Sequence, residues 1–372
     1  MTEIPLVDLA AQHAVIADEV IQGWQEVLAR TAFIGGPQVA DFEREFAAFT
    51  GVTDCVAVAN GTDAIELALR ASGIGTGDEV ILPANTFIAT AEAVWRTGAT
   101  PVLVDCADDD TYLMDMAAAA AAVTPHTKAF IPVHLYGQVA PVEQLTNLAA
   151  SIGAVIIEDA AQAHGATRHG RTAGSLGHAA ATSFYPGKNL GAYGDAGAVL
   201  TNLPELAGLI RLIREHGSPR KYVHEVVGVN SRLDTLQAVV LSAKLRRLAG
   251  WNEARSHAAA RYDAALAELT EVTRPRTLDG NTHVWHLYVV RVPERDRILA
   301  DLQAAGIGAG IHYPTPVHRT RAFASLGSHS AAGNGFPVAE RTAPELLSLP
   351  LYAEITPAQQ ERVVEVLAKS LG

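Results

Sequence analysis

Cysteine, long apolar runs and positive charge are all scarce in this chain, and each shortage closes a line of interpretation. Two cysteines in 372 residues, Cys55 and Cys106, supply neither a disulfide framework nor a clustered thiolate site. Both stand in apolar, strand-like stretches, where a thiol behaves as a small buried hydrophobe. No H-E-x-x-H or paired C-x-x-C motif occurs, so no metal site is expected. No apolar run approaches the ~18 residues that a membrane-spanning helix needs, and the alanines from Ala117 to Ala122 read as helix filler. The segment MTEIPLVDLAAQH lacks a basic region followed by an apolar signal core, which sets the expectation of a cytoplasmic protein. With 28 Lys and Arg against 40 Asp and Glu, the net charge of −12 offers no long-range attraction to nucleic acid or to an anionic membrane. An anionic ligand must therefore be held by a local device.

What the chain has in quantity is apolar sequence, 49% against 18% charged, enough for a large α/β core. Seven apolar, β-branched segments recur between helical patterns: 55–60, 79–84, 100–106, 128–135, 154–160, 181–186 and 196–202. Their near-continuous apolarity predicts strands covered on both faces, hence a mostly parallel, doubly wound seven-stranded sheet. From Ser231 to about Leu269 the pattern is helical, with Gly250 as a candidate break, and beyond it a smaller α+β pattern follows. The expected division is a large α/β domain over 1–250 and a small C-terminal α+β domain over 251–372.

In an open sheet of this kind ligands sit beyond the carboxyl ends of the strands, so the residues just after each strand carry the interest. After the first, Gly61, Thr62 and Asp63 open a helix whose free N–H groups suit a phosphate; an ordinary capping turn is the alternative. Phe87 follows the second strand, either as a ring surface or as core. Asp159 ends the fifth, where a buried carboxylate requires a positive partner, an arginine or a protonated heterocyclic nitrogen. Lys188 follows the sixth inside SFYPGKNLGAYGDAG; desolvation there favours the neutral amine that forms an imine with an aldehyde, the alternative being a lysine that snorkels to solvent. An amine, a carboxylate, a ring surface and an anion site together match the needs of pyridoxal 5′-phosphate.

The runs IEDAAQAHGA (157–166), GSLG (174–177) and SFYPGKNLGAYGDAGAV (183–199) resemble the DegT/DnrJ/StrS family of sugar-nucleotide aminotransferases, which have the aspartate aminotransferase type of fold. PANTFIATAEAV, IPVHLYGQ, GVNSRLDTLQA and GIGAGIHYPTPVH agree in order, so the resemblance spans nearly the whole chain. It implies that Lys188 holds pyridoxal phosphate and shuttles protons, that Asp159 pairs with the ring nitrogen, and that Gln162 lies against the cofactor with Phe87 stacked on it. It also implies a phosphate resting on Gly61, Thr62 and Ser183, joined by Asn230 from the neighbouring subunit of a homodimer with shared active sites. Tyr185, His312 and Tyr313 match positions that approach the sugar. Arg220, Lys221 and Arg232 are candidates for the diphosphate, with solvated surface as the alternative, and His164 beside Gln162 is left open. The turn NGTDAI departs from the family, which more often has a serine first, and leaves the phosphate contacts of Asn60 and Asp63 open; Val229 replaces a common aromatic. The implied reaction moves an amino group from L-glutamate to a nucleotide-linked ketosugar, most like carbon 3 of a dTDP-linked 3-keto-6-deoxyhexose, with carbon 4 of a dTDP- or UDP-4-keto sugar as the alternative. A non-catalytic pyridoxal phosphate protein and a dinucleotide oxidoreductase are the competing classes; no G-x-G-x-x-G opens the first strand-to-helix turn.

Overall fold

Strands rich in Val, Ile, Leu and Ala, apolar on both faces, must be covered on both faces, and the computed structural model shows this for the described residues, 3–324 and 335–372. The strands are β1 (Asp54–Val58), β2 (Glu79–Pro83), β3 (Thr100–Val104), β4 (Thr127–Phe130), β5 (Val155–Asp159), the short β6 (Thr167–Arg168) and β7 (Arg171–Thr172), β8 (Ala179–Ser183) and β9 (Gly197–Thr201). Seven of them form one sheet in the order β1-β9-β8-β5-β4-β2-β3. All seven expected strands are present and the sheet is mostly parallel; β9 alone runs against its neighbours β1 and β8.

The helices before, among and directly after these strands are α1 (Leu9–Ala14), α2 (Ala17–Arg30), α3 (Pro37–Thr50), α4 (Gly61–Ala71), α5 (Ile88–Arg96), α6 (Met116–Ala121), α7 (Glu143–Ile152), α8 (Pro204–Arg214) and α9 (Thr235–Ala265). Successive strand residues point to opposite layers. Val56, Val80, Leu82, Ile157 and Val199 pack with α4, α5 and α8. Cys55, Ala57, Ala180 and Leu200 pack with α3 and α9, and Ile81, Val102 and Ile156 pack with α6 and α7. Leu67 and Leu69 of α4 are wholly buried, each contributing about 1.5–3 kcal/mol relative to exposure.

The remaining chain supplies β10 (Asn281–Thr282), which pairs with β6, then β11 (Tyr288–Arg291), α10 (Arg295–Ala304), α11 (Pro337–Thr342), β12 (Leu346–Leu349) and α12 (Pro357–Leu371). β11 and β12 pair antiparallel, and Tyr288, Ile298, Leu302, Leu347, Val363 and Leu367 form a second core. α9 joins the two cores without the break considered at Gly250. Its first half packs Leu241, Leu245 and Leu248 on the sheet, while its second half packs Ala258, Ala259 and Tyr262 in the second core. Both ends being anchored offsets the roughly 1 kcal/mol cost of a glycine within a helix. Residue 250 therefore lies mid-helix, and Ile4, at the other end of the sequence, belongs to the second core.

Candidate active site

The carboxyl ends of β1, β2, β5 and β8 share one edge of the sheet, and because β9 runs the opposite way its start lies there too. That register fixes how the first helix begins. Val58 and Ser183 both face Gly197. A Cβ on Gly197 would lie 2.4 Å from the Asn60 carbonyl, and one on Gly61 would lie 2.6 Å from the Ser183 Cβ. Glycine at both places brings the Ser183 hydroxyl against the start of α4. The Asn60 side chain caps the helix by accepting the Asp63 N–H at 2.8 Å, and the first intrahelical bond starts at Ala64. The N–H groups of Gly61 and Thr62 are left facing the same space, an arrangement that suits an anion. Asp63 does not oppose this: its carboxylate is turned aside, accepting from Arg96 at 3.1 Å and from the Ser231 hydroxyl at 2.8 Å.

Asp159 closes β5 and is buried, 6% exposed. Oδ2 accepts the Thr90 hydroxyl at 2.8 Å and Oδ1 accepts the Ala161 N–H at 3.2 Å. Since Thr90 spends its hydrogen there, Thr86, 2.8 Å away, donates to Thr90. Lys188 lies on the loop between β8 and β9, with its N–H bonded to the Tyr185 carbonyl. Desolvation pushes its amine down to about 8, against the opposing pull of the Asp159 carboxylate. The neighbouring Glu158 faces the other layer and is saturated. It accepts N–H bonds from Gly174, Leu176 and Gly177 and pairs with His134 Nε2 at 2.7 Å. Ala140 N–H occupies His134 Nδ1, so Nε2 carries the hydrogen. The GSLG run is thus the backbone cradle of Glu158.

These groups open on one cavity of about 490 Å³. Gly61, Thr62, Phe87, Asp159, Gln162, Ser183, Tyr185, Lys188, His312 and Tyr313 all line it. Gln162 accepts the Tyr136 N–H at 2.6 Å and donates to the Tyr313 hydroxyl at 3.1 Å. Phe87 and Tyr185 are half exposed at the mouth, and the Phe87 ring lies 5.2 Å from that of Tyr313. His312 Nδ1 is 2.8 Å from the Ser348 hydroxyl, and burial, with Lys188 adding to it, pushes its imidazole down to about 4. Burial, with Asp159 adding to it, pushes the Tyr313 phenol well up.

Five residues singled out from the sequence lie elsewhere within this chain. Asn230 and Arg232 line a neighbouring depression of about 550 Å³ that shares only Asp195 with the cavity, and Arg232 is paired with Glu215 at 2.9 Å. Arg220 and Lys221 are exposed and do not line the cavity. His164 is buried behind it, with Nε2 2.9 Å from the Thr182 hydroxyl and its imidazole pushed down to about 3 by burial and then by Lys188. Conversely, Leu6, Val7, Thr90, Asp195 and His286 line the cavity without having been anticipated. Thr90 had one signal, its place one turn after Phe87; Leu6 and Val7 had none.

The donor set fits pyridoxal phosphate: Gly61 and Gly197 leave room where side chains would close the cradle, and the buried carboxylate faces the amine rather than a guanidinium. An amine, a buried carboxylate and an anion cradle at this edge of a doubly wound sheet define a pyridoxal phosphate enzyme of the aminotransferase fold. The DegT/DnrJ/EryC1/StrS aminotransferase family pattern matches residues 14–368, and the chain belongs to that family. It is 46% identical to the pleiotropic regulatory protein of Geobacillus stearothermophilus, over 98% of each chain. It is 45% identical to the dTDP-3-amino-3,4,6-trideoxy-alpha-D-glucose transaminase of Streptomyces venezuelae, over 98% of this chain and 95% of that one. The crystal structure of S. venezuelae DesV matches with a TM-score of 0.93 at 43% identity, covering 99% of this chain and 98% of that one. The protein is therefore a pyridoxal phosphate-dependent sugar-nucleotide aminotransferase, whose family implies an amino donor and a nucleotide-linked ketosugar. Among the described residues, no helix is long and apolar enough to cross a membrane and no cluster of side chains suits a metal ion.

Proposed function

We propose that the chain moves an amino group from L-glutamate to carbon 3 of a dTDP-linked 3-keto-6-deoxyhexose, and that it does so as a homodimer. The observation that carries the chemistry is the meeting of Lys188, Asp159 and the Gly61–Ser183 cradle in one cavity. The choice of carbon 3 and of dTDP is supported by the S. venezuelae transaminase, 45% identical along nearly its whole length.

Pyridoxal phosphate, when bound, supplies an electron sink for the bond broken at the amino-bearing carbon. The chain's own groups do the rest. Gly61 and Thr62 N–H and the Ser183 hydroxyl hold the phosphate, with Asn230 added by the second copy. Asp159, oriented by the Thr86–Thr90 relay, holds a proton on the ring nitrogen, and Gln162 and Phe87 keep the ring in place. Lys188 would hold the cofactor and, as a free amine, would carry the proton to and from the substrate carbon. An amine depressed to about 8 is partly neutral at physiological pH, which a general base requires. Tyr185, His312 and Tyr313 orient the sugar, and Arg220 and Lys221 of a second copy neutralise the diphosphate.

Single-turnover conversion by the pyridoxamine-loaded protein, run against 3-keto and 4-keto sugars linked to dTDP and UDP, tests this. The dTDP-3-keto-6-deoxyhexose is expected to react fastest, and a faster reaction with a 4-keto sugar overturns the assignment.

A further inference from the structure

The cavity has a wall that no strand end supplies. The first residues of the chain form a strap on the second core: Ile4 bridges Ile307, its N–H donating to Gly306 at 2.9 Å and its carbonyl accepting from Gly308 at 2.7 Å. Leu351 N–H then donates to the Leu6 carbonyl at 3.2 Å. The glycines of GIGAGIHYP admit this strap. A Cβ on Gly308 would stand 2.7 Å from the Leu6 nitrogen, and one on Gly310 would stand 3.2 Å from Leu6 Cδ2 and 3.3 Å from His312 Cε1. Leu6 is thereby laid beside His312, and Leu6 and Val7, both half-buried, face into the cavity.

The charge of that wall matters as much as its shape. Lys188 is the one lysine or arginine lining the cavity among the described residues. On the side away from the sheet, Leu6, Val7 and Leu287 stand beside His286 and His312, two imidazoles that burial keeps neutral. His286 Nδ1 is engaged with Asn189 Oδ1 at 3.3 Å; both donor contacts of that amide go to Asn252 and the Val284 carbonyl, so the imidazole is the donor. A sugar carbon meeting the Leu6 and Val7 side chains meets aliphatic groups that offer it neither a hydrogen bond nor a charge.

We propose that Leu6 and Val7 are specificity-determining residues which meet carbon 6 of the sugar and select a methyl group there over a hydroxymethyl or a carboxylate. This rests on the sugar-nucleotide assignment above. Burying a hydroxyl against aliphatic side chains without a partner is costly, and burying a carboxylate far more so. Apolar walls discriminate against an added hydroxyl by about 10- to 100-fold at most, and a uronate should fall below detection.

The test compares dTDP-linked 6-deoxyglucose, glucose and glucuronic acid, binding to the cofactor-loaded protein by calorimetry, and their 3-keto forms for kcat/KM. The wild type is expected to favour the 6-deoxy sugar by about 10- to 100-fold in both measurements, and Leu6→Ser and the isosteric Val7→Thr to bring the ratio within about threefold of unity. Thermal unfolding of each variant shows that the fold is retained. A wild type without preference, or a preference that survives in both folded variants, overturns the proposal. If glutamate converts the bound cofactor yet no 3-ketosugar is turned over, the sugar-nucleotide assignment fails first and this proposal falls with it.

Discussion

Glu158 and Asp159 are consecutive carboxylates at the end of one strand, both buried, and they have opposite fates. The alternation of β5 sends Glu158 into the layer of the GSLG loop, where three backbone N–H groups and His134 fill its lone pairs. It sends Asp159 to the cavity, where a hydroxyl and one N–H leave the carboxylate short of partners beside a lysine. A saturated charge fixes structure; an unsaturated one is available to a ligand. Their backbones are shared: His134 N–H donates to the Asp159 carbonyl, so the pair that locks Glu158 also sets where Asp159 stands.

Substitutions that remove one charge at a time sharpen the contrast. Asp159→Asn keeps the shape but cannot hold a proton on the ring nitrogen, and steady-state turnover should fall about 10²- to 10⁴-fold, with little change in the unfolding midpoint of the cofactor-free protein. Glu158→Gln should behave in the reverse manner. Its amide can no longer accept from every N–H aimed at it, so denaturant unfolding should report a loss on the order of 3 kcal/mol, with activity retained by the fraction that folds. If the two variants exchange these phenotypes, the distinction between them is wrong.

The smallest effect concerns pH. With its amine pushed down to about 8 from the ordinary 10.5, Lys188 of the cofactor-free protein should react with pyridoxal phosphate at a rate that climbs up to pH 8 and then levels. Because the Asp159 carboxylate raises the Lys188 value, Asp159→Asn should move that midpoint lower still, while Glu158→Gln should leave it near 8. A rate that keeps rising to pH 10 in the wild type contradicts the desolvated amine.

Much of this was legible in the sequence because it is local. Strands covered on both faces leave uninterrupted apolar runs, and the residues that follow them, Gly61, Thr62, Phe87, Asp159 and Lys188, line one cavity. What escaped depends on contacts between distant segments. Gly250 has no steric neighbour and sits in a helix held at both ends, so its low propensity does not decide the local structure. Leu6 reaches the cavity only because Gly306 and Gly308, some three hundred positions away, bind the strap. Arg220 and Lys221, the candidates for the diphosphate, lie outside the cavity of their own chain, and no spacing argument within one chain places them in it.

The reversed direction of β9 also governs when the cradle can exist. β1 has β9 as its sole neighbour in the sheet, about 140 positions later in the chain. A ribosome adding about 5–20 residues per second needs on the order of ten seconds to cover that interval. Until then β1 is an unpaired edge, and Gly61 has no Ser183 to meet. The nascent chain thus lacks its anion cradle until late, and Lys188 emerges only shortly before the last strand of the sheet.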